Sequence, residues 1–192
     1  MSKIIIGLTG LIASGKDVSK KHLEDKHGAS SHRFSFMLRD ILKRLYLPIS
    51  RENMQSLSFD LRRRFGEDTL ARVIVEDVKN DDHDIVVIDG IRRLADITGL
   101  KNLPNFYLLS IDADAKIRYD RLIKRNENIG DANKTFEQFL EEEGREAEQE
   151  IPTVMQAAQF KVNNESSLED LYQQLDKIIL KIRSKSETSA PS

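Results

Sequence analysis

The apolar run Ile4-Ile5-Ile6-Gly7-Leu8 leads almost directly into glycines at positions 10 and 15 and a lysine at 16. A continuous, β-branched run of this kind reads as a strand buried on both faces, at the centre of a parallel sheet. From Lys16 to His27 the pattern becomes helical. Strand, glycine loop and helix open a βαβ unit, which commits the chain to the α/β class. Short apolar runs recur at His32–Phe36, Ile85–Ile88, Phe106–Ile111 and Phe160–Val162, with helical stretches between them. That alternation predicts one α/β domain built on a parallel sheet.

Several helix boundaries are legible. Ser50 is positioned to cap a helix running to Phe65, with Gly66 as its stop. Thr135 with Gln138, and Ser166 with Glu169, have the spacing of capping boxes. A last helix from Leu168 to Arg183 places Leu168, Leu171, Leu175, Ile178, Ile179 and Ile182 on one face. The tail over 184–192 is rich in Ser, Lys, Glu and Pro and is expected to be disordered. The chain is 192 residues long, so a single domain over 1–183 accounts for the rest.

The glycine loop also points to chemistry. Gly10-Leu11-Ile12-Ala13-Ser14-Gly15-Lys16 fits G-x-x-x-x-G-K, the Walker A pattern up to its last position. Glycines allow backbone N–H groups to turn inward around a polyphosphate, and the helix start aims its positive dipole end there. Gly10, Ala13, Ser14, Gly15, Lys16, Asp17 and Val18 are therefore the candidate nucleotide-binding residues, with Lys16 within reach of β- and γ-phosphates. A βα turn that binds nothing has the same pattern. Position 17 departs from the motif, because a hydroxyl that ligates Mg²⁺ is usual there. Asp17 is either a direct Mg²⁺ ligand or an impairment that repels phosphate.

Ile85-Val86-Val87-Ile88-Asp89 is a predicted strand that ends in an acid, in the manner of a Walker B segment. The carboxylate of Asp89 would lie at the carboxyl edge of the sheet, where ligands of such folds sit. Asp17 and Asp89 are the candidate metal ligands. Arg92 and Arg93 follow at once, and arginine forks match phosphate oxygens.

Here the chain resembles the nucleoside monophosphate kinases, adenylate kinase among them. Asp89, Gly90 and Arg93 match their D-G-x-x-R segment, whose arginine holds the acceptor phosphate. Asp120-Arg121 through Arg125 looks like their D-R-x-x-x-R, which leads into the lid. The resemblance covers Ile4 to about Lys181. It implies the P-loop fold, a five-stranded parallel sheet flanked by helices, with ATP and Mg²⁺ as cofactors. It also implies an acceptor-binding segment at about 37–79 and a lid at about 118–145. By the same resemblance Lys16, Arg93, Arg121 and Arg125 are catalytic, and Arg39, Arg92 and Arg93 bind the acceptor. Arg44, Arg51 and the Arg62-Arg63-Arg64 run are further acceptor-side candidates, and Arg145 is a candidate for completing the arginine set.

The acceptor's chemistry separates the options. A hydroxyl acceptor needs a carboxylate to take its proton, whereas a phosphate acceptor needs positive charge. The opening GLTG is similar to dephospho-coenzyme A kinase, which carries an acid just after the second strand. Here Ser31 to Arg39 contains none, and Asp40 is the first. The GKD loop is similar to phage-type deoxynucleoside monophosphate kinases and to one kind of phosphomevalonate kinase. Three readings stay open: a nucleoside monophosphate kinase, a P-loop kinase of another small metabolite, and a nucleotide-binding protein without transfer activity.

Composition narrows what else is open. Thirty basic against thirty-two acidic side chains give a net charge of -2, which argues against a nucleic-acid or membrane-surface partner. There is no cysteine, so disulfides, thiolate metal sites and a zinc-stapled lid are excluded. His22, His27, His32 and His83 form no HxxxH pair, which argues against a histidine metal site. No apolar run reaches the ~18–20 residues of a membrane span. The polar interruptions of the first fifteen residues argue against a signal peptide, so the expected compartment is the cytoplasm. The acidic stretch from Glu141-Glu142-Glu143 through Glu150 reads as a solvated helix face.

Overall fold

The computed structural model describes residues 3–125, 133–144 and 149–188. Five strands form one sheet: β1 (Ile4–Thr9), β2 (Ser30–Arg33), β3 (Ile85–Asp89), β4 (Phe106–Asp112) and β5 (Phe160–Asn163). Their order is β2-β3-β1-β4-β5, and every pairing is parallel. The helices are α1 (Lys16–His27), α2 (Phe34–Arg44), α3 (Arg51–Phe65), α4 (Thr69–Lys79), α5 (Leu94–Thr98), α6 (Ala115–Arg125), α7 (Phe136–Glu143), α8 (Ile151–Gln156) and α9 (Leu168–Thr188).

The strand alternation builds two cores. Ile5, Val86, Ile88, Phe106 and Leu108 point to one face, where they meet Leu38 of α2, Ile74 and Val78 of α4, Ile97 of α5 and Val154 of α8. Ile4, Ile6, Leu8, Ile85, Val87, Leu109 and Ile111 point to the other, against Leu23 of α1 and Leu171, Leu175, Ile179 and Ile182 of α9. Every residue of β1 and β3 is buried, which explains why both are continuous apolar runs. Their following helices leave in opposite directions. The chain after β1 enters α1 on the second face, and the chain after β3 enters α5 on the first. This divergence opens a crevice at the carboxyl edge of β1 and β3, the place where ligands bind in open α/β sheets.

Some boundaries differ from the expectation. The predicted strand at His32–Phe36 is β2 over Ser30–Arg33, and α2 begins at Phe34. Phe34, Leu38 and Leu42 are buried at a four-residue spacing, so a helical face claims the phenylalanine. The last capping box lies one residue later than predicted: the Asp170 N–H donates to Ser167 Oγ at 3.1 Å. Leu168, expected in the core, is 54% exposed. The backbone of α9 stays helical to Thr188, past the predicted break at Ser184, and 189–192 lie outside the described residues. The lid residues 126–132 and Arg145 also lie outside them. Ser50 and Thr135 cap α3 and α7 as expected.

Candidate active site

The loop between β1 and α1 is built for close approach of backbone. Gly10 and Gly15 have φ of 152° and 109°, and Ala13 has φ of 58°. A Cβ at Gly15 would stand 2.1 Å from Asn164 Nδ2, and one at Gly10 would stand 2.3 Å from the Ile111 carbonyl oxygen. Glycine is thus required at both positions. Asn164, just past β5, donates from Nδ2 to the Ser14 carbonyl at 2.8 Å and fixes the loop against the sheet.

The start of α1 is left open. Gly15 is its N-cap, and no side chain caps it. The first N–H groups of a helix have no intrahelical acceptor, so this end presents donors and a positive dipole. Ser14 is fully buried, and its Oγ has no hydrogen-bond partner among the described residues. Lys16 folds over the loop and donates from Nζ to the carbonyls of Gly10 at 2.7 Å and Leu11 at 2.9 Å. The predicted residues Gly10, Ala13, Ser14, Gly15, Lys16, Asp17 and Val18 form a single cradle.

The acids at positions 17 and 89 come together through a residue that sequence reasoning did not single out. Arg33, the last residue of β2, is the register partner of Asp89 on β3. Its Nε donates to Asp89 Oδ2 at 2.6 Å, and its Nη2 donates to the same oxygen. The same Nη2 donates to Asp17 Oδ1 at 2.7 Å. One guanidinium therefore lies between the two candidate metal ligands. Burial, the largest single effect on Arg33, pulls its guanidinium down, but the charges and hydrogen bonds of Asp89 and Asp17 outweigh it and hold it above the usual arginine value. The signal in the sequence was position: Arg33 closes β2, in the stretch Ser31 to Arg39 that holds no acid.

Arg121 and Arg125 on α6 flank the same loop. Arg125 Nη1 lies 3.7 Å from Asp17 Oδ2. Arg121 donates to the Asn164 carbonyl at 2.8 Å, while its buried Nη1 has no partner. Ala13, Gly15, Lys16, Asp17, Val18, Arg121, Arg125, Asn164, Ser166 and Leu168 line a cleft of about 380 Å³. Leu168 is exposed because it forms this wall. Ser14 Oγ, Arg121 Nη1 and Asn164 Oδ1 are among the four buried polar side-chain atoms without a partner in the described residues. Their gathering around one loop marks a place where a ligand would complete the hydrogen bonding. A second cleft, about 500 Å³, is lined by Leu11, Asp112, Met155 and Lys161 but by no arginine.

Other arginines are distributed differently. Arg93 lies outside the cradle with Nη1 3.4 Å from Glu67 Oε2, and the N–H groups of Arg92 and Arg93 each donate to Asp96 Oδ2 at 3.1 Å. Arg39 is exposed on α2. Arg62 is removed from the acceptor-side candidates: it is 7% exposed, and its Nη2 donates to buried Asp96 at 2.7 Å, clamping α3 to α5. Arg118, one turn before Arg121, is buried against Glu143 and donates to the Ala113 carbonyl at 2.9 Å. That pairing corrects the reading of Glu141–Glu143 as a solvated face, since Glu143 is enclosed. The correction has a sequence cause: the acids read as one run, but their helical spacing turns Glu143 inward.

Two of the histidines lie together, partly buried as expected. His22, His27 and Asp176 place one ligand atom each within 4.8 Å of one another on the α1–α9 side.

No family model matches the chain. A UPF0200 protein of Staphylothermus marinus is 29% identical over 182 residues, covering 95% of this chain and 94% of that protein. A UPF0200 protein of Methanocaldococcus jannaschii is 31% identical over 183 residues, covering 93% and 90%. Among solved structures, shikimate kinase from Bacteroides thetaiotaomicron superimposes with a TM-score of 0.61 at 12% identity, covering 94% of this chain and 98% of that one. TT1252 from Thermus thermophilus gives 0.58 at 19% identity with the same coverage. These structures share the fold, a five-stranded parallel sheet flanked by helices. The near full-length match to the methanogen protein decides the family, and the chain belongs to UPF0200.

Proposed function

We propose that this chain is an ATP-dependent P-loop kinase whose acceptor is a small molecule carrying a phosphate, a nucleoside monophosphate first among them. The observation that carries the reading is the uncapped N-terminus of α1 facing Arg33, Asp89, Arg121 and Arg125. The donor set fits a polyphosphate: open N–H groups, the orphaned Ser14 Oγ and Lys16. The loop N–H groups and Lys16 would hold the β- and γ-phosphates, and Asp17 and Asp89 would hold Mg²⁺. Bound there, the ion would neutralise charge on the phosphates.

The protein's own part is positioning and charge compensation. Lys16 would exchange the carbonyls of Gly10 and Leu11 for phosphate oxygens. Asp17 and Asp89 cannot serve a cation while Arg33 lies between them, so Arg33 has to turn out when the metal complex enters. In doing so it would present its fork to the acceptor beside the Arg93 segment. A hydroxyl acceptor would want a carboxylate where Arg33 stands. A phosphate acceptor is already an anion and wants that guanidinium. Arg121 and Arg125 would steady the transferred group from the α6 side.

The test is a coupled ADP-release assay with ATP and Mg²⁺ against the eight common ribo- and deoxyribonucleoside monophosphates, dephospho-coenzyme A, phosphomevalonate and shikimate. Turnover above ~1 s⁻¹ on an acceptor whose phosphate itself takes the transferred group, a nucleoside monophosphate or phosphomevalonate, supports the reading. Turnover confined to shikimate or dephospho-coenzyme A would replace the phosphate-acceptor reading with a hydroxyl acceptor. Tight ATP binding that ignores Mg²⁺, with no turnover on the panel, would leave a nucleotide-binding protein without transfer.

A further inference from the structure

We propose that His22, His27 and Asp176 bind one divalent transition-metal ion, best fitted by Zn²⁺, which staples the end of α1 to α9. His22 Nε2 lies 2.9 Å and His27 Nε2 2.8 Å from the same oxygen, Asp176 Oδ1. Two imidazole nitrogens and a carboxylate oxygen are borderline ligands of the type zinc takes in three-ligand sites. Tetrahedral bonds of about 2.0–2.1 Å place ligand atoms roughly 3.3 Å apart. The observed separations from the carboxylate oxygen therefore need only small outward shifts to admit an ion.

The surroundings favour a built site over a chance contact. The two rings are inclined at 79° with centroids 6.0 Å apart, so they approach the carboxylate from different directions. His22 is stacked on Tyr172 at 4.1 Å with planes 4° apart, which fixes its ring before any ion arrives. Asp176 Oδ2 accepts from Lys26 at 2.9 Å, which leaves Oδ1 as the ligand atom. The His22 and His27 side chains are 10% and 12% exposed, and Asp176 is 22% exposed. The group is enclosed yet reachable by a small ion and its fourth ligand, a water. Lys26 opposes a cation, but its side chain is 58% exposed and free to swing outward. His27 is at the opposite end of α1 from Lys16, about 16 Å away at the helical rise. The site is therefore independent of the phosphate cradle and of any kinase activity.

The experiment uses the full chain stripped with chelator and titrated at pH 7.5 with Zn²⁺ alone by calorimetry. Co²⁺ replaces Zn²⁺ in a parallel absorption measurement. The expected result is one equivalent bound near or below micromolar, a visible Co²⁺ band of tetrahedral intensity, and a higher melting temperature with Zn²⁺. His22→Gln and His27→Gln should each weaken binding by more than about 100-fold, beyond the 10–100-fold that loss of an outer-shell partner costs. Lys26→Met should tighten it, an effect a purely hydrogen-bonded cluster would not produce. Asp176→Asn serves as a second ligand variant should a histidine variant not fold, as judged by its melting curve in chelator. No Zn²⁺ bound at 100-fold over micromolar, or binding untouched by the histidine and Asp176 variants, overturns the proposal. So does binding that disappears in Asp17→Asn or Asp89→Asn, because the ion would then lie at the phosphate loop.

Discussion

At the scale of single residues, Arg33 decides how the cradle is wired. Its Nη2 is shared by Asp17 and Asp89, and Asp89 is only 1% exposed. A buried carboxylate needs a cation, and the guanidinium supplies it. Arg33→Met is expected to lower phosphoryl transfer by about 10²–10³-fold at saturating ATP. Affinity for an ATP analogue should hardly change if, as proposed, Arg33 serves the acceptor. Arg33→Lys should recover only part of the loss, because an ammonium cannot span two carboxylates as a fork does. Steady-state kinetics on the best acceptor checks this, and an unchanged kcat in Arg33→Met removes the arginine from the reaction. Gly15 permits a second expectation. Gly15→Ala would push a methyl group into Asn164 Nδ2, whose hydrogen bond to Ser14 holds the loop, at a φ of 109° that alanine resists. Strain of this kind costs on the order of 1–3 kcal/mol. Urea unfolding should show that loss, and nucleotide-analogue binding should be abolished with it.

At the scale of elements, the short edge strand β2 needs help from outside the sheet. It has four residues and pairs only with β3. Its outer anchor is Asp81 in the turn between α4 and β3. Asp81 Oδ2 accepts from Ser30 Oγ at 2.6 Å and lies 2.7 Å from His32 Nε2, while Oδ1 accepts the His83 N–H at 2.9 Å. Burial is the largest single effect on this carboxyl and pushes it up. The hydrogen bonds from Ser30, His83 and His32 together outweigh it and hold the group well below the usual carboxylate range. A carboxyl depressed on folding adds stability that is complete above its unfolded value, about 3.9, and is lost as pH falls through the folded value. Asp81→Asn should therefore destabilise the protein by about 1.5–3 kcal/mol at pH 7. The deficit should shrink below about pH 4, and chemical denaturation at pH 7, 5 and 3 would show it. A deficit constant across that range would mean that the charge plays no part.

The same elements show what a single sequence reveals. β1 and β3 were legible because strands buried on both faces leave a continuous apolar run, and β4 because Ser110 alone interrupts its run from Phe106 to Ile111. The phosphate loop was legible because its geometry admits few residues at positions 10 and 15. β2 was misplaced because an edge strand of Ser, His and Arg carries little apolar signal, and Phe34 belongs to the helix that follows. Arg33 and Asn164 were missed for a related reason. Each acts through a partner far along the chain, Asp89 and Ser14, and only the sheet register brings those partners near. His22 and His27 were not paired because five residues separate them, about 140° around an ideal helix. The bridging Asp176 comes from α9.

At the scale of the whole molecule, the two cores and the site form one mechanical unit. α1 is fixed to one face of the sheet and α5 to the other, so the loops that precede them part at the carboxyl edge of β1 and β3. Arg33 reaches into that gap from β2, and Asn164, beyond β5, holds the β1–α1 loop at Ser14. A ligand that fills the cradle would thus tie together segments from most of the sheet, and its binding energy should appear as global stability. At a nucleotide analogue concentration of 100 times its Kd, linkage adds about 2.7 kcal/mol. For a chain of this size that corresponds to a rise in Tm of roughly 5–11 °C. The dependence on Mg²⁺ distinguishes the role of Arg33. With the guanidinium between Asp17 and Asp89, Mg²⁺ alone should leave the Tm of the wild-type chain unchanged. In Arg33→Met the two carboxylates lose the cation that lies between them, so the variant should melt earlier and Mg²⁺ alone should raise its Tm. Scanning calorimetry with and without Mg²⁺ separates the cases. A Mg²⁺-induced rise in the wild-type chain, or none in Arg33→Met, would show that the arginine does not stand in for the metal.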